Sequence, residues 1–185
     1  MKRLRWYERV DKNVSKLHNA ASLLFGLCLV SAAVLYNSTL QGLIGHREVV
    51  REVHVLSGVL SVGAILLGFT PLFRSSVGKV WRLMMLWSAE DSNWVTQWLK
   101  TFRRPSYLID GPNGGQKIGT AVVASSMLVL LITGLILRFF AYFPLWLRVG
   151  ATLAHTLFAY LITLFVAIHI YYVVSRQNQL ETEDH

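Results

Sequence analysis

The chain has 185 residues, of which 54% are hydrophobic and only 15% are charged, and the charged residues occur in a few separate blocks. This composition is typical of a membrane protein and excludes an ordinary soluble domain, whose charges are spread along the chain. The net charge of +8 does not indicate nucleic-acid binding, because the basic residues are concentrated in alternate connections between apolar stretches, as membrane topology requires.

Four stretches lack Asp, Glu, Lys and Arg, and each reaches the roughly 20 residues that a helix needs to cross the hydrocarbon core of a bilayer. They predict an all-α membrane protein, a bundle of four antiparallel transmembrane helices that forms a single domain over residues 1–185. The first stretch follows a basic segment and could be a secretion signal, but it is longer than the apolar part of a usual signal. The predicted spans cover residues 17–39, 53–73, 118–138 and 149–174.

The distribution of Lys and Arg predicts the topology of these spans. Fourteen of the 18 basic residues precede the first span, lie between the second and third, or follow the fourth. The other four are Arg47 and Arg51 in the connection 40–52, and Arg138 and Arg148 at the two ends of the connection 139–148. Because basic residues are enriched on the cytoplasmic side of a membrane protein, we expect both termini and the loop 74–117 in the cytoplasm and the two basic-poor connections outside.

The cytoplasmic loop 74–117 contains two predicted amphipathic helices, 78–87 and 92–102, in which tryptophan, leucine and methionine mix with basic residues. Helices of this composition lie at the membrane interface or against a partner. An equally good interpretation is that they cap the bundle. Residues 103–116 contain several prolines and glycines, which predicts turns that lead into the third span.

Four histidines lie within the predicted spans, where an ionisable side chain is costly and is a candidate for function. His18 is at the cytoplasmic start of the first span and His54 at the outer start of the second, while His155 and His169 are near the outer and cytoplasmic ends of the fourth. The depths match in two pairs, His54 with His155 and His18 with His169. Each pair could provide two axial nitrogens to one haem iron, so the sequence predicts two haems.

The spacing of the last two histidines supports this prediction. His155 and His169 are 14 residues apart, which returns to within roughly 40° of the same helix face and separates them by about 21 Å. Cys28 is the only cysteine, so any haem is held without a covalent attachment motif. A small residue one turn from a ligand, such as Gly58 after His54, would leave room for a porphyrin.

Other interpretations of these residues stay open. A histidine in a membrane helix can serve only as a hydrogen-bond partner for another helix. Met127 is a conceivable axial ligand, although it lies in the middle of the third span and matches neither histidine level. His46 and His185 lie in an external connection and in the tail, where we expect them to be solvated.

At the histidines of the spans, the sequence resembles the cytochrome b subunit family of membrane-bound formate dehydrogenases, which has nickel-iron hydrogenase and thiosulfate reductase cytochromes as relatives. The likeness is clearest in the fourth span, in residues 153–156 (LAHT) and 166–171 (VAIHIY). It covers most of residues 5–175.

The resemblance implies two haem b groups, the outer one bound by His54 and His155 and the inner one by His18 and His169. One departure concerns the first span, where the family commonly has tryptophan after the histidine and this chain has Asn19. Of the four implied ligands, His18 therefore has the weakest support from the resemblance.

A second motif, Asn113-Gly114-Gly115-Gln116-Lys117, is similar to the Asn-x-Gly-Gln-Lys element that precedes the third span in the formate dehydrogenase type. The resemblance implies that Asn113, Gly115, Gln116 and Lys117 border a quinone site near the inner haem. Amide groups can hydrogen-bond to quinone carbonyls, and glycine lets the ring approach the backbone. Without the family, these residues predict only a turn and a helix cap.

The resemblance implies a membrane anchor in a bacterial inner membrane that relays electrons. The electrons would pass between an iron-sulfur subunit, which accompanies a catalytic subunit on the outer side, and menaquinone or ubiquinone. The spans contain no pairing of a nucleophile with a base, no phosphate loop and no carboxylate pair, so substrate catalysis would belong to a partner. Two alternatives stay open. One is the same cytochrome in a hydrogenase or thiosulfate reductase, and the other is a haem-free membrane anchor or assembly protein.

Overall fold

The structure of the protein is a computed structural model that describes residues 11–102 and 111–183, except for the side chains of residues 172 and 175–183. The described part is helical and contains no β-strand, which confirms the all-α prediction. It divides into two compact units, Met1–Ala121 and Val122–His185. The helices are α1 (Lys12–Tyr36), α2 (Ser38–Ile44), α3 (Arg47–Leu67), α4 (Arg74–Met85), α5 (Ala89–Thr101), α6 (Gly114–Arg138) and α7 (Leu145–Glu183), with a short 3-10 helix at Phe140–Tyr142.

Four of these helices, α1, α3, α6 and the Leu145–Tyr171 part of α7, are long and apolar enough to cross a membrane. They carry many large apolar side chains that are exposed, among them Leu23, Leu56, Leu128 and Leu153. Extensive exposed apolar surface of this kind is stable in a nonpolar solvent. The four predicted spans are therefore confirmed as helices, and their surfaces fit a multi-pass membrane protein.

The boundaries of the second span differ from the prediction. α3 begins and ends six residues before the predicted range of about 53–73, so residues 68–73 of that range are not part of the helix. Its first turn includes Glu48, whose negative charge suits the exposed N–H groups of a helix start. The helix ends at Leu67 because Pro71 lacks an N–H group and disfavours helical backbone at Thr70.

The connection between α1 and α3 contains a short helix that hydropathy alone does not predict. Asn37 Oδ1 accepts a hydrogen bond from the Leu40 N–H at 3.0 Å, which caps the start of α2. Gly45 ends α2 with a φ of 71°, a left-handed conformation that glycine adopts without strain. The predicted connection 40–52 is therefore mostly helical.

In the first unit, α1 and α3 pack as an antiparallel pair. Cys28 of α1 contacts His54 of α3 near one end of the pair. Near the other end, a β-carbon on Gly68 would lie 3.0 Å from Leu17 Cδ2 and 3.2 Å from Val77 Cγ2. Because Val77 belongs to α4, this helix lies against the end of the α1–α3 pair that is opposite His54.

Helices α4 and α5 confirm the two amphipathic helices predicted in the loop 74–117, and each begins three or four residues before its predicted start. The start of α5 is fixed by a capping box, in which Ser88 Oγ accepts from the Asp91 N–H and the Asp91 carboxylate accepts from the Ser88 N–H. The apolar side of α4, with Val77, Val80 and Met84, is half-buried. This burial favours the interpretation that α4 caps the helices beside it.

In the second unit, α7 runs antiparallel to the part of α6 that follows Ala121. The 3-10 helix and Pro144 form the short connection, and the Arg148 N–H donates to the Pro144 carbonyl oxygen at 3.2 Å. Thr133 of α6 contacts His155 of α7 at 2.9 Å. His155 lies about three turns inside α7, and this contact pairs it with a residue near the connected end of α6.

Candidate functional site

His54 is held against α1 through its Nδ1 atom. The Cys28 carbonyl oxygen lies 3.0 Å from that nitrogen, while Cys28 Sγ and Ser31 Oγ both lie 3.4 Å from it. A carbonyl oxygen can only accept a hydrogen bond, so Nδ1 carries the proton and donates to Cys28. The lone pair of the neutral imidazole is then on Nε2, which is a nitrogen that can coordinate a metal.

His155 reaches the same tautomer through a side chain. Its Nδ1 atom lies 2.9 Å from Thr133 Oγ1. The threonine hydroxyl is also 2.6 Å from the Val129 carbonyl oxygen, which can only accept, so the single hydroxyl hydrogen points to Val129. Thr133 Oγ1 therefore accepts from His155 Nδ1, and the lone pair of the His155 imidazole is on Nε2.

These two histidines fit axial ligation of a haem iron by the chemistry of their donor atoms. A ligating histidine normally donates its other ring N–H to a backbone or side-chain oxygen, which fixes the tautomer and the ring orientation. The Cys28 carbonyl provides that oxygen for His54, and Thr133 provides it for His155. The sequence indicates only that some Ser, Thr or carbonyl oxygen would take this role, because the choice depends on how the helices pack.

Two glycines pack against residues of this site. A β-carbon on Gly134 would lie 3.3 Å from His155 Cε1, so the glycine lets the imidazole approach α6 closely. A β-carbon on Gly58 would lie 3.3 Å from Cys28 Sγ, so Gly58 contributes to the packing of α3 on α1. The role of Gly58 beside a porphyrin stays a prediction, while Gly134 is a site residue that the sequence pattern does not reveal.

Replacing Gly134 by alanine should push the His155 ring away from α6 and weaken its hydrogen bond to Thr133. Overpacking of this kind costs roughly 1–3 kcal/mol, which would appear as a lower free energy of unfolding of the purified protein in detergent. Gly150→Ala is the matched control, because a β-carbon there meets nothing within 4 Å and alanine favours a helix. If the two variants were equally stable, Gly134 would not hold the ring in place.

His18 and His169, the histidines predicted at the cytoplasmic level, both lie at exposed positions. The Nδ1 atom of His18 lies 3.5 Å from Ser22 Oγ, which is too long to define a tautomer. Since Cys28 is level with His54 and follows His18 by ten residues, His18 and His54 differ in level by about 15 Å.

Each unit therefore carries two histidines of its apolar helices at different levels, separated by about 15 Å in the first unit and about 21 Å in the second. Each predicted ligand pair, His54 with His155 and His18 with His169, takes one histidine from each unit. The pairing itself stays a prediction.

The other candidates add no ligand. His46 is exposed beside the start of α3, in agreement with its expected solvated position, and His185 lies outside the described residues. Met127 is half-buried in α6. Within the described ranges, no three His, Cys, Asp or Glu side chains form a group that could hold a bare metal ion, whereas a haem iron needs only two axial side chains.

The motif of residues 113–117 forms the start of α6. Asn113 Oδ1 accepts from the Gln116 N–H at 2.9 Å, and Gln116 Oε1 accepts from the Asn113 N–H at 3.0 Å. This reciprocal arrangement is that of a capping box, so the helix cap predicted from the residues alone is confirmed. Since both amide oxygens serve the cap, any further ligand would meet the amide NH2 groups.

Lys117 ties this motif to α5. Its Nζ atom lies 2.6 Å from Asp91 Oδ2 and 2.7 Å from the Leu86 carbonyl oxygen. The Asp91 side chain is 1% exposed and the Lys117 side chain is 10% exposed, so this ion pair is largely removed from solvent. Asp91 Oδ2 also accepts from the backbone and the hydroxyl of Ser88.

Gly114 and Gly115 allow α5 and α6 to touch. A β-carbon on Gly114 would lie 2.7 Å from the Asp91 carbonyl oxygen, and one on Gly115 would lie 2.6 Å from the indole ring of Trp94. Trp94 therefore fills the space on this side of Gly115. A quinone at Gly115 would have to approach from another side, and its binding there stays a prediction.

The Asp91 carboxyl predicts a pH dependence of stability. Burial raises its pKa, but hydrogen bonds from Lys117 and Ser88 lower it more, so the pKa lies below its ordinary value. A lowered folded-state pKa stabilises the fold above the unfolded pKa, near about 4, and this contribution is lost as the pH falls through the folded value. We expect the free energy of unfolding to fall below about pH 4, and to do so less steeply in Asp91→Asn. Equal pH profiles of the two proteins, measured by denaturation in detergent, would contradict this role of Asp91.

No protein-family model matches this sequence, and no curated protein matches it at a significant level. The resemblance to the formate dehydrogenase cytochromes therefore rests on the histidine pattern and on the motif of residues 113–117. What the structure shows directly is a helical chain with four apolar helices that could cross a membrane.

Proposed function

We propose that this protein is a membrane-bound di-haem cytochrome b that relays electrons between an iron-sulfur partner and quinone. The observation that carries the proposal is the hydrogen-bonded state of two histidines on different apolar helices. His54 and His155 each donate through Nδ1 to a defined oxygen, so that both have the Nε2 lone pair that an iron ligand requires. A histidine that only joined two helices would not need the same tautomer at both positions.

The proposed roles of the residues follow from this state. His54 and His155 would hold the outer haem, and His18 and His169 would hold the inner one. Thr133 would fix the orientation of the His155 ring and, by accepting from Nδ1, select the neutral tautomer with its lone pair on Nε2. When bound, haem supplies the one-electron chemistry, and the protein supplies position and electrostatics.

Substrate chemistry is assigned to other chains of the complex. We propose an iron-sulfur subunit and a catalytic subunit of the formate dehydrogenase type on the outer side of a bacterial inner membrane. The same cytochrome in a nickel-iron hydrogenase or a thiosulfate reductase is the alternative. Purification of the complex and identification of the metal centre in the catalytic subunit would distinguish them.

The quinone site is proposed at the start of α6, near Asn113, Gly115, Gln116 and Lys117. Quinone carbonyl oxygens accept hydrogen bonds, and the amide oxygens of Asn113 and Gln116 are both engaged in the cap. The amide NH2 groups are therefore the donors that would meet menaquinone or ubiquinone. Lys117, which is bound to Asp91, would act on this site chiefly by holding α5 against the motif.

Replacing Asn113 by serine should separate these two roles of the residue. Serine caps a helix about as well as asparagine but has no NH2 group, so quinone reduction should slow while both haem spectra and the stability stay near those of the unchanged protein. Asn113→Ala removes both the cap and the amide and should also lower stability by about 1 kcal/mol. Quinone kinetics that are unchanged in Asn113→Ser would remove the amide from the quinone site.

A haem-free membrane anchor is the second candidate function, and a specific observation favours it. The hydrogen bonds of His54 to α1 and of His155 to α6 also join helices, as a structural histidine would. A reduced-minus-oxidised optical spectrum of the purified chain decides between the two functions. A cytochrome shows b-type bands, whereas an anchor shows none.

A further inference from the structure

Arg148, in the first turn of α7, has a buried nitrogen without a hydrogen-bond partner in the described part of the chain. Its Nε atom is inaccessible to solvent, and it makes no hydrogen bond to any described residue. Leaving a buried N–H of a charged group without an acceptor costs more free energy than leaving a neutral N–H without one. The position is therefore unfavourable unless a ligand provides an acceptor.

Arg148 lies on nearly the same face of α7 as His155. Arg148 precedes His155 by seven residues, which returns to within about 20° of the same helix face and about 10 Å closer to the connected end. The guanidinium and the imidazole thus border one stretch of the helix surface. A molecule coordinated by His155 would extend past Arg148 on that side.

The second unit offers Arg148 no acidic partner near this end. Residues 111–180 contain no Asp or Glu, so an anion at Arg148 is not a side chain from the adjoining parts of α6 or α7. A guanidinium in a site of low polarity selects a planar carboxylate, which it binds through two parallel hydrogen bonds. Haem b carries carboxylates of this kind on one edge of the ring.

We propose that Arg148 binds a propionate carboxylate of the haem that His155 ligates. This inference rests on the proposed cytochrome function and extends it to a residue that the family resemblance does not assign. Arg148 then determines how the ring is rotated about the iron and raises the potential of that haem, because a positive charge beside the propionate favours the reduced form. A phospholipid phosphate is the competing anion, and the haem and lipid measurements below distinguish it from a propionate.

The test is a redox titration of the purified complex, followed in the b-type absorption bands, for Arg148→Gln and the control Arg138→Gln. Arg138 is exposed at the end of α6, so the control removes the same charge near the same connected end. Arg148→Gln should lower the midpoint potential of the one haem that is lost in His155→Ala. It should also speed transfer of that haem to an excess of a haem-scavenging protein about tenfold, which corresponds to loss of one charged hydrogen bond.

Arg148→Lys keeps the positive charge but lacks the planar guanidinium group. It keeps the test decisive if the glutamine variant fails to fold. It should keep the potential close to that of the unchanged protein and still release haem faster. If Arg148→Gln left both the midpoint potential and the rate of haem release unchanged, the inference would be overturned and the cytochrome function would stay intact. The same holds if Arg148→Gln lost bound phospholipid with no effect on haem. An unchanged protein without b-type bands would overturn the proposed function, and the inference with it.

Discussion

His155→Ala should retain one haem per polypeptide and lose the other. The alanine removes the Nε2 atom that we assign to the outer haem, while the inner ligands on α1 and at the far end of α7 stay in place. His54→Ala should lose the same haem, because the proposed pair coordinates one iron. Haem content per polypeptide and the low-temperature b-type spectrum measure both results.

Two further variants make this result specific. His169→Ala should lose the other haem, so its remaining spectrum should be the complement of that of His155→Ala. His46→Ala is the control for loss of a histidine, since His46 is exposed and precedes α3, and it should keep both haems. If His155→Ala and His169→Ala both kept the full haem content, the assignment of ligands would be wrong.

Asp91→Ala should destabilise the protein by roughly 3–5 kcal/mol, the usual cost of breaking a buried ion pair by removing one partner. The Lys117 ammonium would stay largely buried without a counter-charge, and the Ser88 N–H would lose its acceptor at the start of α5. Denaturant unfolding in detergent, monitored by tryptophan fluorescence, measures the loss of stability. Trp94 reports on it, because this side chain of α5 packs against Gly115 of α6.

Glu90→Ala is the matched control for this variant. Glu90 is an exposed carboxylate in the same first turn of α5, and we expect its loss to cost less than about 1 kcal/mol. A double replacement, Asp91→Leu with Lys117→Met, should recover much of the stability, because an apolar pair avoids the unpaired charge. Equal stability of Asp91→Ala and Glu90→Ala would show that the ion pair does not hold α5 to the start of α6.

The spans could be predicted from the sequence, but their ends could not be predicted from hydropathy. A lipid-facing helix must be apolar over its crossing length, and this requirement fixes the centres of all four spans. Helix ends depend on local signals that lie outside the apolar runs. Asp11 caps α1 through the Asn13 N–H, and Pro71 explains the early end of α3, so both signals were present in the sequence.

The candidate site divides in the same way. The four histidines of the spans could be identified from the sequence, because an ionisable group in a membrane helix costs free energy and is a candidate for function. The capping contact between Asn113 and Gln116 could also be predicted, because the two residues have the three-residue spacing of a capping box. The oxygens that orient the imidazoles depend on the register of packed helices, so no sequence pattern identified Thr133 for His155.

The Asp91–Lys117 pair shows the same limit over a longer distance. The two residues are 26 positions apart, and nothing in their immediate sequence indicates that they meet. The contact follows from the close approach of α5 to Gly114 and Gly115. A residue that the resemblance places at a quinone thus has a structural role that only the packing reveals.

The central claim is that histidines of the apolar helices ligate haem, and the most direct test is the number of haem groups per polypeptide. The chain is purified from membranes of cells that are supplied with haem precursor, and haem and protein are quantified in the same sample. The account predicts two b-type haems per polypeptide, one of which disappears in His155→Ala. Unchanged protein that contains no haem would contradict the account.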